Sequence, residues 1–172
     1  EKLQFLALHD SLTNLPNRTL FKDRIQHAFL YCQNNRHDNI AILFIDVDRF
    51  KQVNDTYGHH IGDKLLIAIV NSITKKLRKT DTLARLGGDE FVIVIEEVNN
   101  HDDLSPFVAQ IIESVETPIS LAEEVLRVSC SIGVAFYPED ASEPAELIKQ
   151  ADVAMYTAKK DALSGFTYFT SD

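Results

Sequence analysis

Apolar and polar positions follow one another along the chain in two spacings, one typical of helices and one typical of buried strands. Apolar residues recur every three or four positions, as on one face of a helix, over 21–32, 61–77, 104–115 and 144–160. A shorter helix is predicted between Asp48 and Tyr57, where Gly58 ends it. Apolar runs predict strands over 40–45, 81–85, 91–95, 126–136 and at Tyr168–Phe169. Helices therefore alternate with strands.

This order predicts an α/β fold with a ferredoxin-like or palm-type mixed central sheet flanked by helices. The two strands around Gly87–Glu90 have the pattern of a β-hairpin. Apolar residues within 1–9 indicate the end of a helix that enters from an upstream linker. Residues 10–172 are then expected to form one domain, since no repeat or internal linker interrupts them.

Composition agrees with a globular domain and narrows its ligands. The chain has 172 residues, of which 45% are hydrophobic and 25% charged. Its 17 Lys and Arg against 26 Asp and Glu give a net charge of −9, which disfavours a nucleic-acid polymer as partner. An anionic ligand would need a metal ion or a few placed cations. Cys32 and Cys130 have no metal-binding spacing, and we expect two buried, reduced thiols.

Targeting signals are not evident in this sequence. It contains no run of 18 or more apolar residues, the length that would predict a membrane-spanning helix. The first residues lack the pattern of a signal peptide. We therefore expect a cytoplasmic domain cut from a longer chain, and a membrane tether elsewhere in that chain stays open.

Two acidic segments are the main candidates for chemistry. Asp46 follows the first buried run, where ligands bind in open α/β sheets, and its carboxylate suits Mg²⁺. Alternatively, Asp46 or Asp48 caps the next helix. The Gly87–Glu90 turn places Asp89 beside glycines that let a phosphate approach, although Gly and Asp are also common in ordinary turns. If the two strands are neighbours, Asp46 and Asp89 converge on a metal–phosphate site.

Other polar residues have both a functional and a structural interpretation. The segment after the first strand contains Asn54 and Asp63, and Asn and Asp side chains can form hydrogen bonds with guanine. Alternatively, this segment is a solvated polar corner between helices. Arg78 and Asp81 could clamp an anion or form a surface salt bridge. Lys159 and Lys160 could reach a phosphate or offset the dipole of the last helix.

Taken together, the motifs resemble the GGDEF domain family of diguanylate cyclases over nearly the whole chain. The matching segments run, in order, from an opening motif to a helical motif near the end, and they are 10–18, 44–59, 85–91, 131–135 and 151–159. Asn14 stands where glycine is usual in the family. Leu163 stands where the family commonly has an arginine that helps hold the terminal phosphate, and leucine cannot donate a hydrogen bond.

The resemblance implies a bacterial enzyme that condenses two GTP into cyclic di-GMP and two pyrophosphates, as a dimer with one GTP per subunit. It implies a Mg²⁺ cofactor, with Mn²⁺ as an alternative, held by the carboxylates of Asp46 and Asp89 and the carbonyl of Val47. Asp89 would accept the proton, and Glu90, the second catalytic residue, could share in metal binding. Guanine recognition would fall to Asn54 and Asp63 with His59 nearby, and contacts to the triphosphate would fall to Gly87, Gly88, Lys51 and Lys159.

The resemblance also implies regulation and leaves alternatives open. Arg78 and Asp81 lie at the offset of the family's inhibitory site, where cyclic di-GMP binds as product inhibitor. Many relatives append sensory or phosphodiesterase domains, so a catalytically weak domain that senses GTP or cyclic di-GMP is the alternative function, and Leu163 favours it. Another nucleotidyltransferase with a palm-like metal site is a third interpretation, and a preference for adenine would distinguish it.

Overall fold

The computed structural model describes residues 1–34, 39–98, 100–161 and 165–170. The helices there are α1 (Lys2–Leu8), α2 (Arg18–Asn34), α3 (Phe50–Tyr57), α4 (His59–Thr74), α5 (His101–Glu116) and α6 (Pro144–Lys160). The strands are β1 (Ile40–Val47), β2 (Thr82–Gly87), β3 (Glu90–Glu96), β4 (Ile119–Leu121), β5 (Glu124–Leu126), β6 (Cys130–Tyr137) and β7 (Phe166–Tyr168). Across this part of the chain, no helix combines the length and apolar character needed to cross a membrane.

The central sheet has five strands in the order β2-β3-β1-β6-β7. Its pairs are antiparallel except β6 with β7, which is parallel, so the predicted mixed sheet is confirmed. The small β4–β5 hairpin forms a separate two-stranded sheet. Helices α4 and α5 cover one face of the central sheet, and α2 and α6 cover the other.

Strand β1 is buried on both faces and sets the orientation of the residues that follow. Ala41, Leu43 and Ile45 pack into the core beneath α4 and α5. Ile40, Ile42 and Phe44 pack into the core beneath α2 and α6. Because side chains alternate along a strand, Asp46 continues the second series and faces α6.

Helix α6 lies very close to strand β6 because glycine occupies position 133. A Cβ atom at Gly133 would lie 2.0 Å from the carbonyl oxygen of Ala151 and 2.1 Å from the amide nitrogen of Met155. The backbone of α6 could not approach so closely over any larger residue. This contact fixes the height of α6, and hence of Lys159 in its last turn, above the end of β1.

Several predicted boundaries were wrong. Strand β1 does not end before Asp46 but continues to Val47, because β6 pairs with it through Cys130. The predicted strand 126–136 is two strands in different sheets, separated at 127–129. Helix α4 ends at Thr74, short of Leu77, and the last strand precedes Phe169.

The sequence also predicted a helix at the start of the chain and two buried cysteines. Helix α1 occupies the start of the chain, as expected, and its residues are exposed or nearly so. Its assignment to an upstream linker, and the boundary at residue 10, stay predictions. Cys32 and Cys130 are buried, as expected, and form no disulfide with each other.

Candidate active site

The pairing of β1 with β3 brings the two acidic segments together. Asp46 lies directly opposite Glu90 in the antiparallel register, and Asp89 occupies the turn just before β3. The amide of Val47 donates a hydrogen bond to the carbonyl of Asp89 at 3.3 Å. The predicted convergence of Asp46 and Asp89 is therefore present. The alternative in which Asp46 or Asp48 caps the next helix is wrong, since Arg49 occupies the N-cap of α3.

Asp46 is a buried carboxylate with one oxygen paired and one not. Its Oδ2 forms an ion pair with the Nζ of Lys159, which α6 holds above the strand. Its Oδ1 is buried and has no hydrogen-bond partner among the described residues. A buried, charged oxygen without a partner is costly, so a cation bound at Oδ1 would stabilise it.

The carboxyl groups around Asp46 hold their protons more tightly than usual. Burial, followed by the adjoining Asp46 carboxylate, raises the pKa of Asp89 to about 7. Burial and the charges of Asp46 and Asp152 also raise the pKa of Glu90, against the opposing effect of Arg18 and Lys159. Like charges held this close favour a proton or a metal cation between them.

The donor set suits a magnesium-type ion that keeps part of its coordination for water or phosphate. Asp46 and Asp89 have carboxylate oxygens, and Val47, whose amide contacts the Asp89 carbonyl at the end of β1, has a backbone carbonyl that could join them. Mg²⁺ is commonly held by one or two carboxylates together with substrate phosphates. Within the described residues, no group of three or more His, Cys, Asp or Glu side chains is placed to hold a metal by itself. A bound substrate would have to complete such a site.

Arg85 holds the turn that presents Asp89. Its guanidinium donates two hydrogen bonds to the carbonyl of Gly88, at 2.9 and 2.7 Å, and two to the Asp10 carboxylate, at 3.1 and 3.0 Å. Burial opposes ionisation of Asp10, but hydrogen bonds from Thr13 and Arg85 prevail and lower its pKa. Gly88 adopts a φ of 50°, and no atom lies within 4 Å of the place where its Cβ would be. Arg85 thus holds the turn through the carbonyl of Gly88, while the space on the Cα side of Gly88 is open.

The candidates for base recognition lie at the corner between α3 and α4. Asn54 packs closely against Gly62, since a Cβ atom on residue 62 would lie 1.8 Å from the Oδ1 of Asn54. That Oδ1 is buried and has no hydrogen-bond partner among the described residues. His59 and Asp63 are exposed on the first turns of α4, and Lys51 is exposed on α3. The structure therefore supplies one buried polar atom and several exposed groups at this corner.

A cavity of about 890 Å³ adjoins the acidic cluster, which consists of Asp46, Asp89 and Glu90. No pattern in the sequence predicted this cavity. It lies between the start of α3, the start of β6 and the end of α6, and Asp48, Ser131 and Lys159 line it. Asp48 accepts hydrogen bonds from the hydroxyls of Ser129 and Ser131, each at 2.7 Å. No local sequence signal links Asp48 to residues some eighty positions away.

Arg78 and Asp81 form a separate site at the opposite end of β3. The guanidinium of Arg78 pairs with Asp81 at 3.2 Å and donates to the carbonyl of Glu96 at 2.9 Å. The Asp81 side chain is 1% exposed, whereas that of Arg78 is 54% exposed. A cavity of about 250 Å³ lies beside the pair, with Leu104 and Phe107 in its wall. The salt-bridge interpretation is confirmed, and the exposed guanidinium remains available to an anion.

Comparisons with known proteins identify the family of the chain. A family model described as "Diguanylate cyclase, GGDEF domain" matches residues 7–163. The chain is 45% identical over 167 residues to the bifunctional diguanylate cyclase/cyclic di-GMP phosphodiesterase MucR of Pseudomonas aeruginosa, covering 96% of this chain and 24% of MucR. It is 45% identical over 157 residues to the diguanylate cyclase TpbB of the same organism, covering 91% and 36%.

A solved structure matches as well. The crystal structure of the GGDEF domain of TpbB superposes with a TM-score of 0.89 at 40% identity, covering 93% of this chain and 99% of that domain. The chain spans only 24% and 36% of the length of the two curated relatives. The likeness to MucR and TpbB is therefore a likeness to one domain within each.

The shifted Asp89 carboxyl predicts a pH-dependent stability in metal-free protein. Its pKa rises from the ordinary 3.8 to about 7 on folding. The folded state therefore binds the Asp89 proton more tightly than the unfolded state does. As pH rises from about 4 to about 7, this carboxyl loses its proton, and the free energy of unfolding falls. Asp89→Asn removes this loss. After allowance for the half-exposed position, we expect a gain of about 1 kcal/mol, or about 3 °C in Tm, near pH 8 and almost none near pH 4.

Thermal unfolding followed by circular dichroism in the presence of a chelator measures this difference. Asp55→Asn, which changes an exposed carboxyl on α3, is the matched control and should show no gain that depends on pH. An equal change in Tm for Asp89→Asn at both pH values would contradict the electrostatic account.

Proposed function

The chain belongs to the GGDEF domain family, and from this we infer that it is a diguanylate cyclase domain that condenses two GTP into cyclic di-GMP and two pyrophosphates. The observation that supports this most directly is the convergence of Asp46 and Asp89 around a buried carboxylate oxygen that has no hydrogen-bond partner in the described part of the chain. That arrangement suits phosphoryl chemistry assisted by a divalent cation, and the family generally uses one.

The metal would be bound by Asp46, Asp89 and the carbonyl of Val47, with Mg²⁺ the expected ion and Mn²⁺ the alternative. When bound, it supplies charge neutralisation at the transferring phosphorus. Lys159 holds Asp46 in place through its ion pair and adds a positive charge beside the phosphates. The Gly87–Gly88 turn leaves open space above it, so a phosphate could approach the backbone there.

Proton transfer falls to Asp89, with Glu90 assisting. In each step the 3′-hydroxyl oxygen of one GTP forms a bond to the α-phosphorus of the other. The bond from that phosphorus to pyrophosphate breaks, and the hydroxyl proton passes to the Asp89 carboxylate. Without a metal ion, burial and the neighbouring Asp46 carboxylate raise the pKa of this carboxyl to about 7, and a bound cation would favour its ionised form, which can accept the proton.

Guanine would bind at the corner of α3 and α4. The Asn54 amide can donate to guanine O6 or N7, and its buried Oδ1 is an acceptor that no described residue satisfies. The exposed Asp63 carboxylate can accept from guanine N1–H and the exocyclic amine, with His59 nearby. Adenine has an acceptor at N1, no amine at C2 and an amine in place of guanine O6, so this corner favours GTP over ATP.

Two domains are needed for one product. Each is proposed to hold one GTP, so the nucleophile and the attacked phosphorus come from different subunits of a homodimer. Effective catalysis then depends on how closely the two sites meet. Helix α1, which has no buried residues, is the candidate element for bringing two domains together.

The alternative function is a sensor that binds GTP or cyclic di-GMP and regulates an attached phosphodiesterase domain. Residue 163, which lies outside the described residues, favours it, because leucine stands where the family usually has an arginine. The name of MucR records a cyclase and a phosphodiesterase in one chain, so a domain of this kind can have a phosphodiesterase beside it. Binding without turnover distinguishes the sensor from the cyclase.

Product analysis tests the cyclase directly. The domain is incubated at high concentration with GTP and Mg²⁺, and nucleotides are separated by chromatography. We expect cyclic di-GMP from the parent and at least about a hundredfold less from Asp89→Ala, because proton transfer and metal binding both depend on that carboxylate. Asp55→Ala is the control and should resemble the parent.

The absence of product from a parent sample that is shown to be dimeric and to bind GTP would contradict the cyclase and favour the sensor. Equal activity in the parent and in Asp89→Ala would contradict the assigned site.

Product inhibition is proposed to act through Arg78 and Asp81. The buried Asp81 carboxylate fixes a largely exposed guanidinium beside a cavity, where it can grip a phosphate or a guanine edge. We expect micromolar cyclic di-GMP to lower the initial rate of the parent, and Arg78→Ala to lose most of that response. The quantity compared is the ratio of rates with and without product. An undiminished response in the variant would remove this assignment.

A further inference from the structure

The cavity of about 890 Å³ beside the acidic cluster contains two arginines that the comparison with the family does not assign. Arg49 lies at the start of α3 and Arg127 just before β6, and both line the cavity together with Lys159. Lys159 also pairs with Asp46, so the cavity opens directly beside the candidate metal carboxylates. A group bound at those carboxylates could extend into it.

The two arginines lie near a set of hydrogen bonds that joins Asp48 to Ser129 and Ser131, here named the Asp48 clamp. Arg49 follows Asp48, whose amide donates to the carbonyl of Ser129 at 2.9 Å and whose carboxylate accepts from Ser129 and Ser131. Arg127 precedes Ser129 by two residues. The Asp48 clamp therefore ties the segments that hold both arginines to each other and to the edge of the same cavity.

Arg49 has a backbone conformation that an ordinary side chain adopts only at some cost. Its φ of 58° and ψ of 29° lie in the left-handed region. It makes the turn from β1 into α3 without a side-chain cap. This conformation directs the chain so that residue 49 borders the cavity.

Both guanidinium groups are available to a ligand. The side chains of Arg49 and Arg127 are exposed and form no hydrogen bond or ion pair with the described residues. By contrast, Lys159 is engaged with Asp46. Carboxylates of Asp48, Glu116 and Asp161 also line the cavity, so its net charge is close to zero. Binding there must come from placed contacts rather than from a general positive field.

We propose that Arg49 and Arg127 bind the terminal phosphates of the nucleoside triphosphate when its inner phosphates lie at Asp46 and Asp89. Arginine binds phosphate oxygens with two parallel hydrogen bonds, which an ammonium cannot do. The two side chains would supply phosphate contacts from the start of α3 and from the segment before β6. This inference rests on the proposed function, because it takes GTP as the substrate.

Two probes test the proposal by calorimetry in the presence of Mg²⁺. The first is 3′-deoxy-GTP, which lacks the attacking hydroxyl, so that binding is measured without turnover. The second is pyrophosphate, which has no base and so reports on phosphate contacts alone. We expect Arg49→Ala and Arg127→Ala each to weaken binding of both probes by about ten- to a hundredfold, the range of a charge-assisted hydrogen bond.

Controls separate these contacts from general effects. Arg24→Ala removes an exposed arginine on α2 and should bind both probes like the parent. Arg127→Lys keeps the charge and loses the paired geometry, so we expect an intermediate loss. Because both target side chains are exposed, the Tm of each variant should match that of the parent.

The outcomes distinguish this inference from the proposed function. Parent-like affinity in both Arg49→Ala and Arg127→Ala overturns the inference and leaves the cyclase intact. A parent that binds pyrophosphate but not 3′-deoxy-GTP contradicts the guanine site, while loss of pyrophosphate binding in the variants still supports the arginine contacts. A parent that binds neither probe overturns both.

Discussion

The register of β1 between β3 and β6 is the constraint on which the site depends. Seven consecutive pairs join β1 to β3, and eight join it to β6, so the strand cannot slip against one neighbour without breaking its pairing with the other. Both faces of β1 are buried, and a slip by one residue would exchange the two faces. Apolar packing far from the site therefore decides that Asp46 faces Lys159 and lies opposite Glu90.

The same packing creates an electrostatic cost that a ligand can relieve. Asp46, Asp89 and Glu90 are held together in a partly buried place, and Lys159 compensates only one oxygen of Asp46. The raised pKa of Asp89 measures how unfavourable its negative charge is there. Under the proposed function a divalent cation would remove this cost, and the protein would exchange some stability for affinity toward that cation. The net charge of −9 is compatible with a polyanionic substrate for this reason.

Local patterns in the sequence predicted the elements that are made of continuous apolar residues, and they failed where distant contacts decide. The predicted α6 matches the observed helix, and the hairpin around Gly87–Glu90 is present. By contrast, the break at 127–129 within an apolar stretch depends on the Asp48 clamp. The convergence of Asp46 and Asp89 could be stated only on the condition that their strands pair. The Asp10–Arg85 contact, 75 residues apart, had no periodic signal at all.

A carboxylate at the end of β1 and another in the β2–β3 turn are proposed to form one site for a divalent cation, and Mn²⁺ binding followed by electron paramagnetic resonance tests this most directly. The protein is titrated with Mn²⁺ in the presence of 3′-deoxy-GTP, with Asp46→Asn and Asp89→Asn beside the parent. We expect tight Mn²⁺ binding by the parent and a large loss of Mn²⁺ affinity in each variant. Parent-like Mn²⁺ affinity in both variants would contradict it.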